Sequence, residues 1–116
     1  MTQKRVAAIH DISGFGKCSL TVALPIISAA GIEVSAIPTA VLSTHTGGIE
    51  GFTYRDLTED MEDFAKHWKS LNINFDSIYT GFLGSFDQID IVSNIFDLIS
   101  NKDTLIMVDP CMADNG

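Results

Sequence analysis

The sequence predicts an α/β domain with a mostly parallel sheet. Three observations support this fold class. Short apolar segments alternate with helical segments of roughly 12 residues along the chain. Hydrophobic residues make up 46% of the 116 residues, which is enough for one packed domain. The apolar segments end in glycine, small polar residues or a carboxylate, as strands do where they lead into a ligand site.

The N-terminal segment predicts a strand, a turn and a helix. Residues 5–10 (RVAAIH) are typical of a strand, and Gly14 and Gly16 indicate a tight turn after it. A helix is expected over residues 19–30, kinked or delayed by Pro25. Its predicted buried residues are Val22, Ala23, Ile26 and Ile27.

The middle of the chain predicts two further strands. Gly31 is expected to cap the helix, and residues 33–42 to form a second strand that bends or ends near Pro38. After the glycine-rich loop STHTGGIEG, residues 51–56 alternate aromatic and polar side chains, which indicates a short strand.

Two amphipathic helices are predicted in the second half of the chain. Asp56 with Glu59, and Ser85 with Gln88, have the spacing of a capping box. The apolar stripes are Met61, Phe64, Ala65, Trp68 and Leu71 in one helix, and Ile89, Val92, Phe96 and Ile99 in the other.

Strands over residues 76–84 and 103–109 complete the order β-α-β-(β)-α-β-α-β. This alternation implies right-handed crossovers and a mostly parallel sheet. The segments HDISGFG, STHTGG, YTGFLGS and VDPCMAD then meet at one edge of the sheet, where a small-molecule site is expected.

The charge balance argues against several classes of partner. The chain has 7 basic and 15 acidic residues and a net charge of −8, so neither nucleic acid nor an anionic membrane is an expected partner. Cys18 and Cys111 do not have the spacing of a CxxC motif, and no apolar run is long enough for a signal peptide or a membrane span. These features predict a reducing, cytoplasmic location.

The strongest local signal is the pair Asp109 and Asp114 in VDPCMADNG. Two carboxylates on one turn could share a divalent cation with water and phosphate oxygens, although an Asp-Pro turn is the simpler alternative. SGFGKCS is a weaker signal, because it lacks the third glycine of a dinucleotide-binding motif and the four-residue spacer of a P-loop. A glycine turn explains it equally well.

Four other residues are candidates for substrate binding. His45 and Thr46 lie in THTGG, where the ring and the hydroxyl could contact a ligand or only shape the loop. Phe82 follows a predicted strand and could stack on a flat substrate or pack in the core. Asp11, assigned to the first loop, could accept a hydrogen bond from a substrate or form a turn.

Together, HDISGFGKCSLTVALPIISAAG, LSTHTGG, YTGFLGS and VDPCMADNG resemble the pyridoxal and pyridoxamine kinases of the ribokinase-like superfamily. The resemblance covers essentially the whole chain. It implies a three-layer fold with helices on both faces of the sheet. It also implies transfer of a phosphoryl group from ATP to the 5′-hydroxymethyl group of vitamin B6, giving pyridoxal 5′-phosphate in B6 salvage.

The resemblance also implies roles by position. Asp11 would contact the pyridine ring or its 3-hydroxyl. His45 and Thr46 would line the pyridine pocket, and Phe82 would cover the ring face, where many relatives have tyrosine. A homodimer is implied as well, with Phe52 and Tyr54 as possible exposed contacts.

For the nucleotide side of the reaction, the resemblance implies that Asp109 and Asp114 hold Mg²⁺ near the ATP phosphates, and it leaves a monovalent cation open. This role suits phosphoryl transfer, in which positioning and charge neutralisation dominate catalysis. Members of the family are more than twice as long, and their catalytic base lies in a Gly-Thr-Gly-Asp motif beyond Gly116. Residues 1–116 are therefore expected to be the N-terminal half of a kinase domain, without the ATP-binding half, the base or activity of their own.

Three alternatives remain open from the sequence. A hydroxymethylpyrimidine kinase of thiamine biosynthesis would share the fold and the Asp-Pro loop. A nicotinamide-dependent oxidoreductase would need the missing third glycine. A non-catalytic B6-binding protein would bind the vitamin without phosphoryl transfer.

Overall fold

The computed structural model describes residues 4–15, 20–44, 50–81 and 86–108, without the side chains of residues 20–23 and 86. These residues form eight elements in the predicted order. They are β1 (Arg5–Phe15), α1 (Leu20–Ala29), β2 (Glu33–Thr44), β3 (Tyr54–Asp56), α2 (Thr58–Ser70), β4 (Ser77–Thr80), α3 (Phe86–Ile99) and β5 (Leu105–Val108).

The five described strands form one sheet in the order β3-β2-β1-β4-β5. β1 pairs in parallel with β2 and β4, and β4 pairs in parallel with β5. Only β3 is antiparallel to its neighbour β2. The predicted α/β class with a mostly parallel sheet is confirmed.

The main core lies between the sheet and helices α2 and α3, on what we call the α2–α3 face. In register, Ile9 of β1 lies beside Ile37 of β2, and Ala7 of β1 lies beside Ile78 of β4. The core is completed by Met61, Ala65, Phe75, Val92, Ile95 and Ile99. Helix α1 contacts β1 and β2.

The predicted apolar stripes are confirmed in part. Met61, Ala65, Val92 and Ile99 are buried as expected, whereas Phe64, Leu71 and Ile89 are exposed. In α1, Ile26 was expected to be buried but is 65% exposed. Helical periodicity indicates which side of a helix is apolar, but the packing partner determines which of those side chains are buried.

β1 and β2 are both longer than predicted. β1 continues through Gly14 instead of turning there, and β2 continues past Pro38 to Thr44. Between two register pairs, His10 with Pro38 and Ile12 with Val41, β2 contains one extra residue. This irregularity accommodates a proline, which cannot donate to the ladder, without ending the strand.

Two glycines have roles that require the absence of a side chain. Gly31 has φ +81° just after α1, which agrees with its predicted role as a C-cap. A Cβ atom on Gly14 would lie 3.1 Å from the carbonyl oxygen of Ser43, so glycine permits the close approach of β2 at this point.

Candidate active site

The topology brings the carboxyl ends of β1, β2, β4 and β5 to one edge of the sheet, because these four strands are mutually parallel. In open α/β sheets this edge is where ligands bind. Most of the predicted site residues, His45, Thr46, Phe82, Asp109 and Asp114, lie outside the described residues. Asp11 is the predicted site residue that the structure describes.

Asp11 lies within strand β1 and not in a loop after it, because β1 continues to Phe15. Its side chain is 7% exposed, and Ser13, two residues further on, is also buried. Side chains two residues apart in a strand project to the same side of the sheet. Asp11 and Ser13 therefore lie on the α2–α3 face, together with Ala7 and Ile9. The strand thus changes from an apolar core at its start to polar groups near its carboxyl end.

Tyr54 of β3 approaches the same polar region. Ser13 pairs with Leu42 of β2, and Leu42 pairs with Tyr54, so the three residues form one row across the sheet. Burial raises the pKa of the Tyr54 phenol, and the carboxylates of Asp56 and Asp11 raise it further. The phenol is therefore protonated at neutral pH and lies within electrostatic reach of Asp11.

Gln88 connects α3 to this edge of the sheet. Its side chain is buried, and its Nε2 donates to the carbonyl oxygen of Thr39 at 3.1 Å, to Asp56 Oδ1 at 3.2 Å and to Thr58 Oγ1 at 3.0 Å. The Ser85 half of the predicted capping box lies outside the described residues. Sequence reasoning assigned Gln88 only a cap and missed its contacts with β2, β3 and α2.

Asp56 accepts hydrogen bonds at the start of α2. The N-cap is Leu57, so the predicted capping box does not have Asp56 at the N-cap position. Asp56 Oδ1 accepts from the backbone N–H of Thr58 at 2.9 Å and also from the Thr58 hydroxyl. The Thr58 hydroxyl is the largest influence that lowers the pKa of Asp56; burial opposes it, and the Thr58 N–H and Gln88 add to the lowering.

A second close contact lies at the end of β4. The rings of His10 and Tyr79 meet edge to face, with centroids 4.6 Å apart. The N–H of Gly81 donates to the carbonyl oxygen of Ile9 at 3.1 Å, and a Cβ atom on Gly81 would lie 2.3 Å from His10 Nδ1. A side chain at Gly81 would displace the His10 ring, so glycine permits the close approach of β4 and β1 at this point.

Two negative findings apply to the described part of the chain. Within residues 4–15, 20–44, 50–81 and 86–108, no group of three His, Cys, Asp or Glu side chains is placed to hold a metal ion. Asp109 and Asp114 lie outside these ranges. No helix among the described residues is long and apolar enough to cross a membrane.

The fold matches solved structures of small-molecule kinases, whereas no family model matches the chain. A provisionally named phosphomethylpyrimidine kinase from Bacteroides thetaiotaomicron is 48% identical over 100% of the chain, with a TM-score of 0.93. Another crystal form of that protein, 49% identical, contains pyridoxal. Pyridoxal kinase from Lactobacillus plantarum is 30% identical over 100% of the chain, with a TM-score of 0.86.

A more distant structure shows how widely the fold is shared. Pyridoxal kinase from Staphylococcus aureus, solved with AMP-PCP and pyridoxal, is 21% identical over 99% of the chain, with a TM-score of 0.78. The chain spans only 40% of the Bacteroides protein and 41% of each of the other two. The fold is that of a ribokinase-like kinase. Over its whole length the chain is similar to pyridoxal kinase and to the provisionally named phosphomethylpyrimidine kinase, and its coverage is consistent with the N-terminal half of such an enzyme.

Proposed function

We propose that the protein acts in B6 salvage as a pyridoxal kinase, which transfers the γ-phosphoryl group of ATP to the 5′-hydroxymethyl group of pyridoxal, pyridoxine or pyridoxamine. The observation that carries this proposal is the identity of 49% with a protein whose crystal contains pyridoxal. The identity of 30% with a pyridoxal kinase supports the same substrate class. Both matches extend over nearly all of the 116 residues.

The geometry around Asp11 supports a polar aromatic substrate. Asp11 is buried in β1 near the edge where ligands bind, and the protonated phenol of Tyr54 lies within its electrostatic reach. A carboxylate there can accept a hydrogen bond from the 3-hydroxyl of a pyridine or from the N–H of a protonated pyridine ring. We assign His45 and Thr46 to the wall of this pocket and Phe82 to the ring face.

Asp109 and Asp114 are the proposed ligands of Mg²⁺. They follow β5 in the sequence, and carboxylates are the donors that Mg²⁺ prefers when phosphate oxygens complete its octahedron. When bound, the ion would neutralise charge on the ATP phosphates. The two carboxylates would hold the ion in this role, and a monovalent cation is part of the same hypothesis.

The remaining parts of the reaction are assigned to sequence beyond residue 116. Residues 1–116 correspond to the substrate-binding half and the metal loop, and the ATP-binding half with its catalytic base would follow them. The complete enzyme is proposed to be a cytoplasmic homodimer, for which Phe52 and Tyr54 are both exposed as expected.

The proposal is tested by ATP consumption of the full gene product with Mg²⁺. Pyridoxal, pyridoxamine and hydroxymethylpyrimidine are offered in parallel, because the Bacteroides relative carries a phosphomethylpyrimidine kinase name. We expect turnover of a B6 vitamer, lost in Asp109→Ala or Asp114→Ala. Turnover of the pyrimidine alone would move the assignment to thiamine biosynthesis, and pyridoxal binding without turnover would indicate a non-catalytic binding protein.

A further inference from the structure

One buried side chain outside the proposed pocket connects four segments of the chain. Gln88 of α3 contacts the backbone of β2 at Thr39, the end of β3 at Asp56 and the start of α2 at Thr58. The same carbonyl oxygen of Thr39 also accepts from the N–H of Leu57 at 3.0 Å. The Thr39 carbonyl oxygen thus accepts from both Gln88 and Leu57, and these two hydrogen bonds attach the corner between β3 and α2 to the sheet.

Besides Gln88, this corner is held by the pairing of β3 with β2 and, just before β3, by two hydrogen bonds between Thr53 and Ser43. β3 is only three residues long, and all three of them are exposed. It lies at the edge of the sheet and pairs only with β2, through Ala40, Val41 and Leu42. A short edge strand with one described neighbour opens easily, so polar contacts from a buried residue add measurably to its stability.

The position of β3 determines where Tyr54 lies. Tyr54 and Asp56 project to the same side of β3, because they are two residues apart. Asp56 contacts Gln88, so both side chains lie on the α2–α3 face, where Asp11 is buried. Tyr54 itself is 48% exposed, so it borders the solvent-accessible side of this polar region.

We propose that Gln88 is a positioning residue that acts through Tyr54: by holding Asp56 and Thr58, it fixes the Tyr54 phenol on the same face of the sheet as Asp11, at the border of the substrate site. This inference rests on the proposed function for the identity of the site. It assigns Tyr54 a contact with the B6 vitamer and gives Gln88 an indirect effect on affinity. Neither residue takes part in the phosphoryl transfer itself.

The experiment compares Gln88→Leu with Asn94→Leu in the full gene product. Both substitutions replace an amide with leucine on α3, but Asn94 is exposed and far along the helix from the corner. Hydrogen exchange is followed in the peptide that covers residues 50–58, and KM and kcat are measured for pyridoxal. Gln88→Leu should speed exchange in this peptide and raise KM about three- to tenfold, with kcat within about twofold of the wild type.

A double-mutant cycle with Tyr54→Phe tests the route of the effect. If Gln88 acts through the phenol, Gln88→Leu should raise KM much less in the Tyr54→Phe background than in the wild type. Thr58→Val is the second variant in case Gln88→Leu does not fold, because it removes one acceptor of Gln88 and leaves α3 unchanged. It should give the same pattern with a smaller change in KM.

Three results would overturn the inference. Unchanged exchange in residues 50–58 would mean that Gln88 does not hold the corner. Faster exchange with an unchanged KM would mean that the corner does not position a substrate contact, and additive effects in the cycle would exclude Tyr54 as the route. Failure of the proposed function can be distinguished from failure of this inference. In the first case the wild type would neither bind nor phosphorylate pyridoxal. Hydrogen exchange in residues 50–58 would still decide whether Gln88 fixes β3.

Discussion

The two edge strands of the described sheet, β3 and β5, differ in almost every property. β3 has the sequence Tyr-Arg-Asp, and its corner with α2 is held by Gln88. β5 has the sequence Leu-Ile-Met-Val, and its four side chains are 61%, 40%, 41% and 58% exposed. Natural edge strands are usually short, charged or covered, and apolar parallel strands are usually buried on both faces.

The comparison shows that β3 has the composition of an edge strand, whereas β5 has that of an interior strand. In register, Ile106 of β5 lies beside Ile78 of β4, which is fully buried in the core. The pattern of β5 therefore fits a sheet that extends further on this side. The solved relatives are longer than this chain, which spans 40% of the Bacteroides protein.

The largest expected effect is the difference in stability cost between a substitution in the core and a substitution in β5. In the 116-residue chain, Ile9→Ala should lower the free energy of unfolding by about 2–5 kcal/mol, because Ile9 is fully buried. Ile106→Ala should cost only about 0.5 kcal/mol, because that side chain is partly solvated already. Urea unfolding measures both.

The same substitution in the full gene product tests whether β5 is an edge strand or an interior strand. If further sequence covers β5, Ile106→Ala should there cost about as much as a core substitution, about 2–5 kcal/mol. An equally small cost in both proteins would show that β5 is a true edge strand.

The next effect concerns the contact between β1 and β4. Gly81→Ala should destabilise the fold by about 1–3 kcal/mol, because the added Cβ would overlap the His10 ring. His10→Ala combined with Gly81→Ala should recover part of this loss. Thermal melting of the wild type, the two single variants and the double variant measures this recovery. If the loss of stability in the double variant equals the sum of the two single losses, the clash is not its cause.

Self-association gives a third test of the difference between the edges. The exposed apolar faces of β5 should make the isolated 116-residue chain oligomeric or prone to aggregation. Ile106→Lys should shift sedimentation towards the monomer, whereas Arg55→Lys in β3 should leave it unchanged. A wild-type chain that is monodisperse, monomeric and melts cooperatively would contradict this expectation.

The smallest effect is the pH dependence at β3. The pKa of Asp56 is below its ordinary value of 3.8 in the folded protein, so the carboxylate stabilises the fold above about pH 4 and loses this contribution as the pH falls through the folded pKa. Asp56→Asn should therefore reduce stability slightly at neutral pH, and its difference from the wild type should shrink below pH 4. The effect should be small because Asp56 is exposed. Urea unfolding at several pH values measures it, and a difference that grows on acidification would contradict the assignment.

The sequence by itself determined the α/β class, the order of the elements, part of each apolar stripe and the resemblance to pyridoxal kinases. These properties depend on local periodicity and on short motifs, which can be recognised without knowing which residues meet in space. The stripe over α2 was correct at Met61 and Ala65 for this reason.

Only the tertiary structure decided that Asp11 lies within β1, that β2 passes Pro38, and that Gln88 reaches Asp56. Gln88 is 49 residues from Thr39 and 32 residues from Asp56 along the chain, and such a contact depends on strand register and helix placement. The extra residue in β2 sets the register of Leu42, and thereby brings Tyr54 into line with Ser13. No local pattern encodes that alignment, because it follows from how the whole sheet packs against α2 and α3.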